Sequence, residues 1–110
     1  MNMCEKWCED LKSFWEQKDI DNIISLFDKN VVYYETPKEK VNSINEIREM
    51  WKEIKGQNTN NIELNILCID NKKCIANYIL NDTTTYDMIY EIELNEDGKC
   101  IYFKQWYMEF

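Results

Sequence analysis

A chain of 110 residues with 45% hydrophobic and 14% aromatic content, two glycines and one proline can bury a single core and leaves little for linkers, so one domain over residues 1–110 is expected. A formal charge of −8 repels phosphates and no basic run offsets it, which argues against a nucleic-acid partner. No apolar run approaches the roughly 20 residues that span a bilayer, and the opening MNMCEKWCED lacks the basic and apolar regions of a secretory leader; no membrane partner and a cytoplasmic location are expected.

Cys4, Trp7, Cys8, Leu11, Phe14 and Trp15 step by three and four, so the first element is an amphipathic helix over about Cys4 to Lys18. Asp19 is placed to cap a second, short helix whose stripe is Ile20, Ile23, Ile24 and Phe27. Val31 to Thr36 is β-branched and aromatic and reads as a strand, which Pro37 stops. The polar KEKVNS that follows reads as a loop. Ser43 with Glu46 forms a capping box for a third helix with Ile44, Ile47, Met50, Trp51 and Ile54 on one face, ended by Gly56.

After QNTNN the pattern turns strand-like: Ile62 to Ile69, Cys74 to Leu80, about Thr84 to Leu94, and Cys100 to Met108. Short turns join them, with Gly98 supplying a positive φ in the last. Consecutive hairpins make an antiparallel meander, and the helices need its apolar face. The fold class is α+β: three N-terminal helices packed on a strongly curved antiparallel sheet.

The five cysteines are odd in number and lack CxxC spacing, and there is no histidine to complete a zinc site, so buried reduced thiols are expected and no metal. No glycine-rich phosphate loop is present, and no cofactor is expected. The absence of histidine also excludes Ser–His or Cys–His nucleophile activation.

Asp19, Ile20, Asp21, Leu26 and Phe27, the strand Val32 to Pro37, Ile47, Arg48 and Trp51, and the ending Asp97, Gly98, Phe103, Lys104, Gln105, Trp106 and Tyr107 together resemble the nuclear transport factor 2-like superfamily, which includes the SnoaL-like proteins and ketosteroid isomerase. The resemblance covers nearly the whole chain. It implies a cone, a bent sheet closed over by helices with a pocket between them. It also places Thr36 where the isomerase carries its base, Leu11 where it carries a phenolic donor, and Tyr90 near its second donor. Threonine does not accept a proton near neutral pH and leucine donates nothing, so isomerase chemistry is not expected.

In the same register Trp15, Met50, Trp51, Phe103 and Tyr107 fall on pocket-lining positions, though helical spacing fits plain core equally well. Strand alternation turns Tyr34 with Thr36, and Gln105 with Phe103. Asn77 interrupts the apolar Ile75 and Ile79 and reads as either an inward polar handle or a group paired with backbone. Glu35 is the one candidate for acid–base work; simple alternation turns it away from Thr36, and a β-bulge at the strand end reverses that.

The leading expectation is a small-molecule protein whose pocket takes an apolar or aromatic ligand. The alternatives are a lyase, isomerase or cyclase-type enzyme using Glu35, and a non-catalytic homodimer module. Pairing through the outer sheet face is expected to use Tyr33, Tyr78, Tyr102 and Trp106.

Overall fold

The computed structural model describes residues 2–109, with side chains up to residue 106. Helix α1, Met3–Glu16, starts where the Asn2 side chain accepts from the Cys4 amide at 2.7 Å. Its buried stripe is Cys4, Trp7, Cys8, Leu11 and Trp15. The helix is closed by Lys18, whose positive φ of 56° lets the Asp19 amide turn back to the Phe14 carbonyl at 2.9 Å. Asp19 then caps α2, Ile20–Ser25.

The second helix is shorter than its apolar stripe suggests. The Leu26 carbonyl is taken by two outside donors, the Cys100 amide and the Trp7 indole N–H, both at 2.9 Å. That capture draws the backbone into the sheet, and Phe27 opens strand β1, Phe27–Thr36, instead of closing the helix. The expected loop after Pro37 contains a further strand, β2, Glu39–Val41, paired antiparallel with β1. Val41 is buried, which gives this short segment a reason to pair. Ser43 caps α3, Ile44–Trp51, accepting from the Glu46 amide at 3.2 Å. The chain continues as a 3-10 helix over Lys52–Gly56, which buries Ile54.

Strands β3, Ile62–Asp70, β4, Lys73–Asn81, β5, Thr85–Leu94, and β6, Cys100–Glu109, form the expected meander. The six-stranded sheet has the order β2-β1-β6-β5-β4-β3. Every neighbouring pair is antiparallel except β1 and β6, which run parallel. Register shifts at Tyr34/Thr36, Ile66/Cys68 and Glu93/Leu94 bend the sheet toward the helices. Gly98 carries the tight β5–β6 turn at φ 79°.

The inner face is Cys74, Ala76, Tyr78 and Leu80 on β4, Met88, Tyr90 and Ile92 on β5, Phe103 on β6 and Tyr33 on β1. Phe103 stacks between Tyr33 and Tyr90, with ring centroids at 4.9 and 4.6 Å. Tyr78 lies edge-on to Tyr90 at 5.5 Å, and its hydroxyl donates to the Cys8 carbonyl at 2.7 Å, tying α1 to β4.

Two expectations are corrected by this geometry. Tyr33 and Tyr78, assigned to an outer dimer face, are core residues at 2% and 0% exposure, because β1 and β4 turn those positions toward the helices. Four cysteines are buried as expected, but Cys68 is exposed. The register shift leaves Leu67 unpaired and sets Cys68 opposite Ile75, on the face away from the helices.

The Phe103 ring bridges two strands and is wholly buried, so Phe103→Ala is expected to cost about 3–5 kcal/mol. Urea denaturation measures this; a loss of less than about 1 kcal/mol would show that the stack is not a principal support.

Candidate functional site

The helices cover the inner face unevenly. Helix α1 packs on β3 and β4, and α3 on β1. Between α1, α3, the 3-10 helix and the far ends of β1, β4, β5 and β6 lies an open cavity of about 340 Å³. This is the lower end of the size range of small-molecule sites.

Of the residues anticipated from sequence, Trp15, Thr36, Met50, Trp51, Tyr90 and Gln105 line the cavity, as does Glu35. Three do not fit the expectation. Tyr34 faces outward beside Tyr102 and Lys104, and Tyr33 takes the inward place. Phe103 lies within the core stack, with no exposed surface. Asn77 is on the outer face, where its amide donates to Asp87 Oδ1 at 2.5 Å and to the Met88 carbonyl at 3.1 Å. The β4 face that meets α1 is built from the small Cys74 and Ala76, which make room for the helix, so Ile75, Asn77 and Ile79 turn outward together. The side chain of Tyr107 lies outside the described residues.

Glu35 lies two residues beyond the inward Tyr33, and the bulge brings Thr36 to the same side. Tyr34 pairs with Lys40 and Thr36 with Glu39, leaving Glu35 as the extra residue, so both Glu35 and Thr36 line the same space. Burial holds the Glu35 carboxyl above its ordinary value, and repulsion from Glu39 and Glu53 adds to the rise. Among the described residues, no lysine or arginine lines the cavity.

The aromatic wall is ordered but not fully satisfied. Trp15 and Trp51 meet edge-to-face at 5.0 Å, and both are more than nine-tenths buried. Neither indole N–H has a hydrogen-bond partner, nor does the buried side-chain oxygen of Gln57. The Trp51 N–H is near enough to the Tyr33 hydroxyl to favour its ionised form, against a larger rise from burial, yet it does not reach bonding geometry. The Tyr90 hydroxyl finds only the Met88 sulfur, a weak acceptor, at 3.4 Å.

Glu53, Ile54, Gln57, Leu80, Tyr86 and Met88 also line the cavity and were not anticipated. Ile54 continues the apolar face read for the third helix, and Gln57 follows directly after its 3-10 continuation, where no period reaches. Leu80 and Met88 follow from strand alternation once the inner face of β4 is assigned correctly. Among the described residues, no group of three or more cysteine, aspartate or glutamate side chains converges as a metal site. Among the described residues, no helix is long and apolar enough to cross a membrane.

No protein-family model matches the chain, and no curated protein sequence matches it. Solved structures do. A Bacillus subtilis protein provisionally assigned as an isomerase superposes with a TM-score of 0.76 at 20% identity, covering 98% of this chain and 90% of that one. A nuclear transport factor 2-like protein of unknown function from Burkholderia xenovorans gives 0.80 at 11% identity, over 96% and 82% of the two chains. The epoxide hydrolase/cyclase-like enzyme SalBIII, which has a role in pyran ring formation in polyether salinomycin, gives 0.74 at 11% identity over 94% and 89%.

Because folded Glu35 holds its proton more tightly than the unfolded chain does, it costs stability as pH rises from the ordinary value of 4.5 through its raised folded value, and the deficit persists above that window. Glu35→Gln removes the deficit. The variant is expected to melt a few degrees higher than the parent at neutral pH and to coincide with it well below the ordinary glutamate range. Parallel melting curves at all pH values would show that Glu35 is not perturbed.

Proposed function

From the nuclear transport factor 2-like fold of this chain, we propose that the cavity is a small-molecule site for a ring-bearing, largely apolar ligand that carries an oxygen acceptor. The observation that carries this reading is the pair of unpartnered indole donors in the cavity wall. A buried N–H without a partner costs roughly 1–3 kcal/mol, and a ligand oxygen that accepts from one recovers part of that. Both nitrogens are closed off from solvent, so wall side chains must shift to admit the oxygen. Met50 and Met88, unbranched and flexible, line the space and suit that role. The test is a thermal melt against aromatic alcohols, ketones and amines. A ligand at about one hundred times its Kd adds about 2.7 kcal/mol, a rise on the order of ten degrees in a domain of this size. Trp15→Phe keeps most of the ring and removes the donor, and is expected to weaken binding about tenfold. A flat panel, or a Trp15→Phe variant that binds as tightly as the parent, would overturn the reading.

Glu35 favours a second use of the same site. A carboxyl with a raised pKa beside a ligand can deliver or remove a proton, as a lyase, isomerase or cyclase requires. Neighbours in structure that carry isomerase and epoxide hydrolase/cyclase-like names support this reading by analogy only.

We also propose that two copies pair through the outer sheet face. Trp106 and Ile89 are partners across β5 and β6, outward-facing and 43% and 37% exposed. The Trp106 indole donates to Glu91 at 2.7 Å, and Lys104 lies 4.5 Å over its ring, so the anchor is held in place. A patch carrying Lys104 and Glu91 side by side lets a two-fold copy set cation against carboxylate. Sedimentation is expected to show a dimer that Trp106→Glu converts to monomer; a monomer at all concentrations in the parent would overturn the pairing.

A further inference from the structure

The walls of the cavity are one-sided in charge. Glu35 and Glu53 line it, and among the described residues no lysine or arginine does. The rings of Trp15, Trp51, Tyr33, Tyr86 and Tyr90, whose π faces attract cations, share the remaining lining with methionine, aliphatic and neutral polar side chains. The unpartnered Gln57 oxygen is an acceptor that calls for a donor. The two indole N–H groups, each on a tryptophan more than nine-tenths buried, call for an acceptor.

We propose that the ligand is an organic cation: an aromatic amine-bearing molecule whose ammonium group meets Glu35 and Glu53, with its ring against Trp15 and Trp51 and an oxygen toward the indole donors. This rests on the small-molecule reading of the cavity and specifies the ligand's charge. An ammonium offers N–H donors to the two carboxylates and relieves the repulsion between Glu35 and Glu53. A carboxylate-bearing ligand would add a negative charge to that repulsion, and a neutral one would leave it in place.

Three probes of matched shape separate the charge from the cavity: para-methoxyphenethylamine, para-methoxyphenethyl alcohol and para-methoxyphenylacetate. Calorimetric titration at neutral pH is expected to show the amine binding at least about tenfold tighter than the alcohol, and the acid weakest. Glu53 is exposed enough to replace without disturbing the core. Glu53→Gln is therefore expected to weaken the amine while leaving the alcohol unchanged. Glu9→Gln, the same charge change on the exposed side of α1, controls for the overall acidity of the chain and is expected to change neither. An alcohol that binds as tightly as the amine, or an amine equally weakened by Glu9→Gln and Glu53→Gln, would overturn the cation assignment and leave the cavity reading standing. If neither the amine nor the alcohol binds, both fall.

Discussion

The aromatic stack of Tyr33, Phe103 and Tyr90 is the constraint on which the remaining structure depends. It joins three adjacent strands by ring contact, and the middle strand is the one that meets β1 in the sheet's parallel pair. A parallel neighbour cannot be set by a tight turn, so its register must come from side chains and from a few backbone anchors. The Cys100 amide on the Leu26 carbonyl is one such anchor and the stack is the other. Tyr78 extends the same contact to β4 and, through its hydroxyl on the Cys8 carbonyl, places α1. Sheet closure and helix position therefore share one origin.

The cavity is what that closure leaves over. Protein interiors pack at near-crystalline density and pair their buried polar groups, and the Phe103 ring, wholly buried between two others, fits the first of these. A short distance away the wall holds two indole donors and an amide oxygen without partners, together with a carboxyl that burial disfavours. Local rules are satisfied where the fold is decided and relaxed where the space opens, which is the usual distribution between scaffold and site. The bulge at Glu35 belongs to the second region. It adds one residue to β1 and so turns two consecutive side chains, Glu35 and Thr36, toward the same space.

Helical elements were legible because their signals are local: Asp19 and Ser43 cap as their residue types dictate, and the apolar periods are unbroken. The meander was legible from its turns. What sequence reasoning missed depended on tertiary partners. Phe27 continues a helical period, yet the Trp7 indole and the Cys100 amide take the carbonyl before it. Of the two readings of Asn77, the backbone-paired one holds, on the Met88 carbonyl; the inward one fails because α1 needs the small Cys74 and Ala76 beneath it, which turns Ile75, Asn77 and Ile79 outward. Tyr34 and Tyr33 exchange roles for the same reason as Glu35: period-2 counting backward from Pro37 crosses a bulge. Glu35 was legible from its place beside the proline at the strand end, whereas Glu53 carried no signal of its own, since exposed and lining glutamates look alike until α3 is continued into its 3-10 turn.

The register shift at Leu67 bears on how this chain behaves in a crowd. β3 ends the sheet and so offers a row of backbone groups to any extended segment that drifts against it. Its apolar middle, Ile66 to Ile69, is the kind of stretch that templates cross-strand growth. The extra residue interrupts the regular spacing of amides within that stretch, and the flanking Glu63 and Asp70 charge its ends. An arriving strand finds no uninterrupted run to zip onto, which works against fibre growth from this open sheet edge.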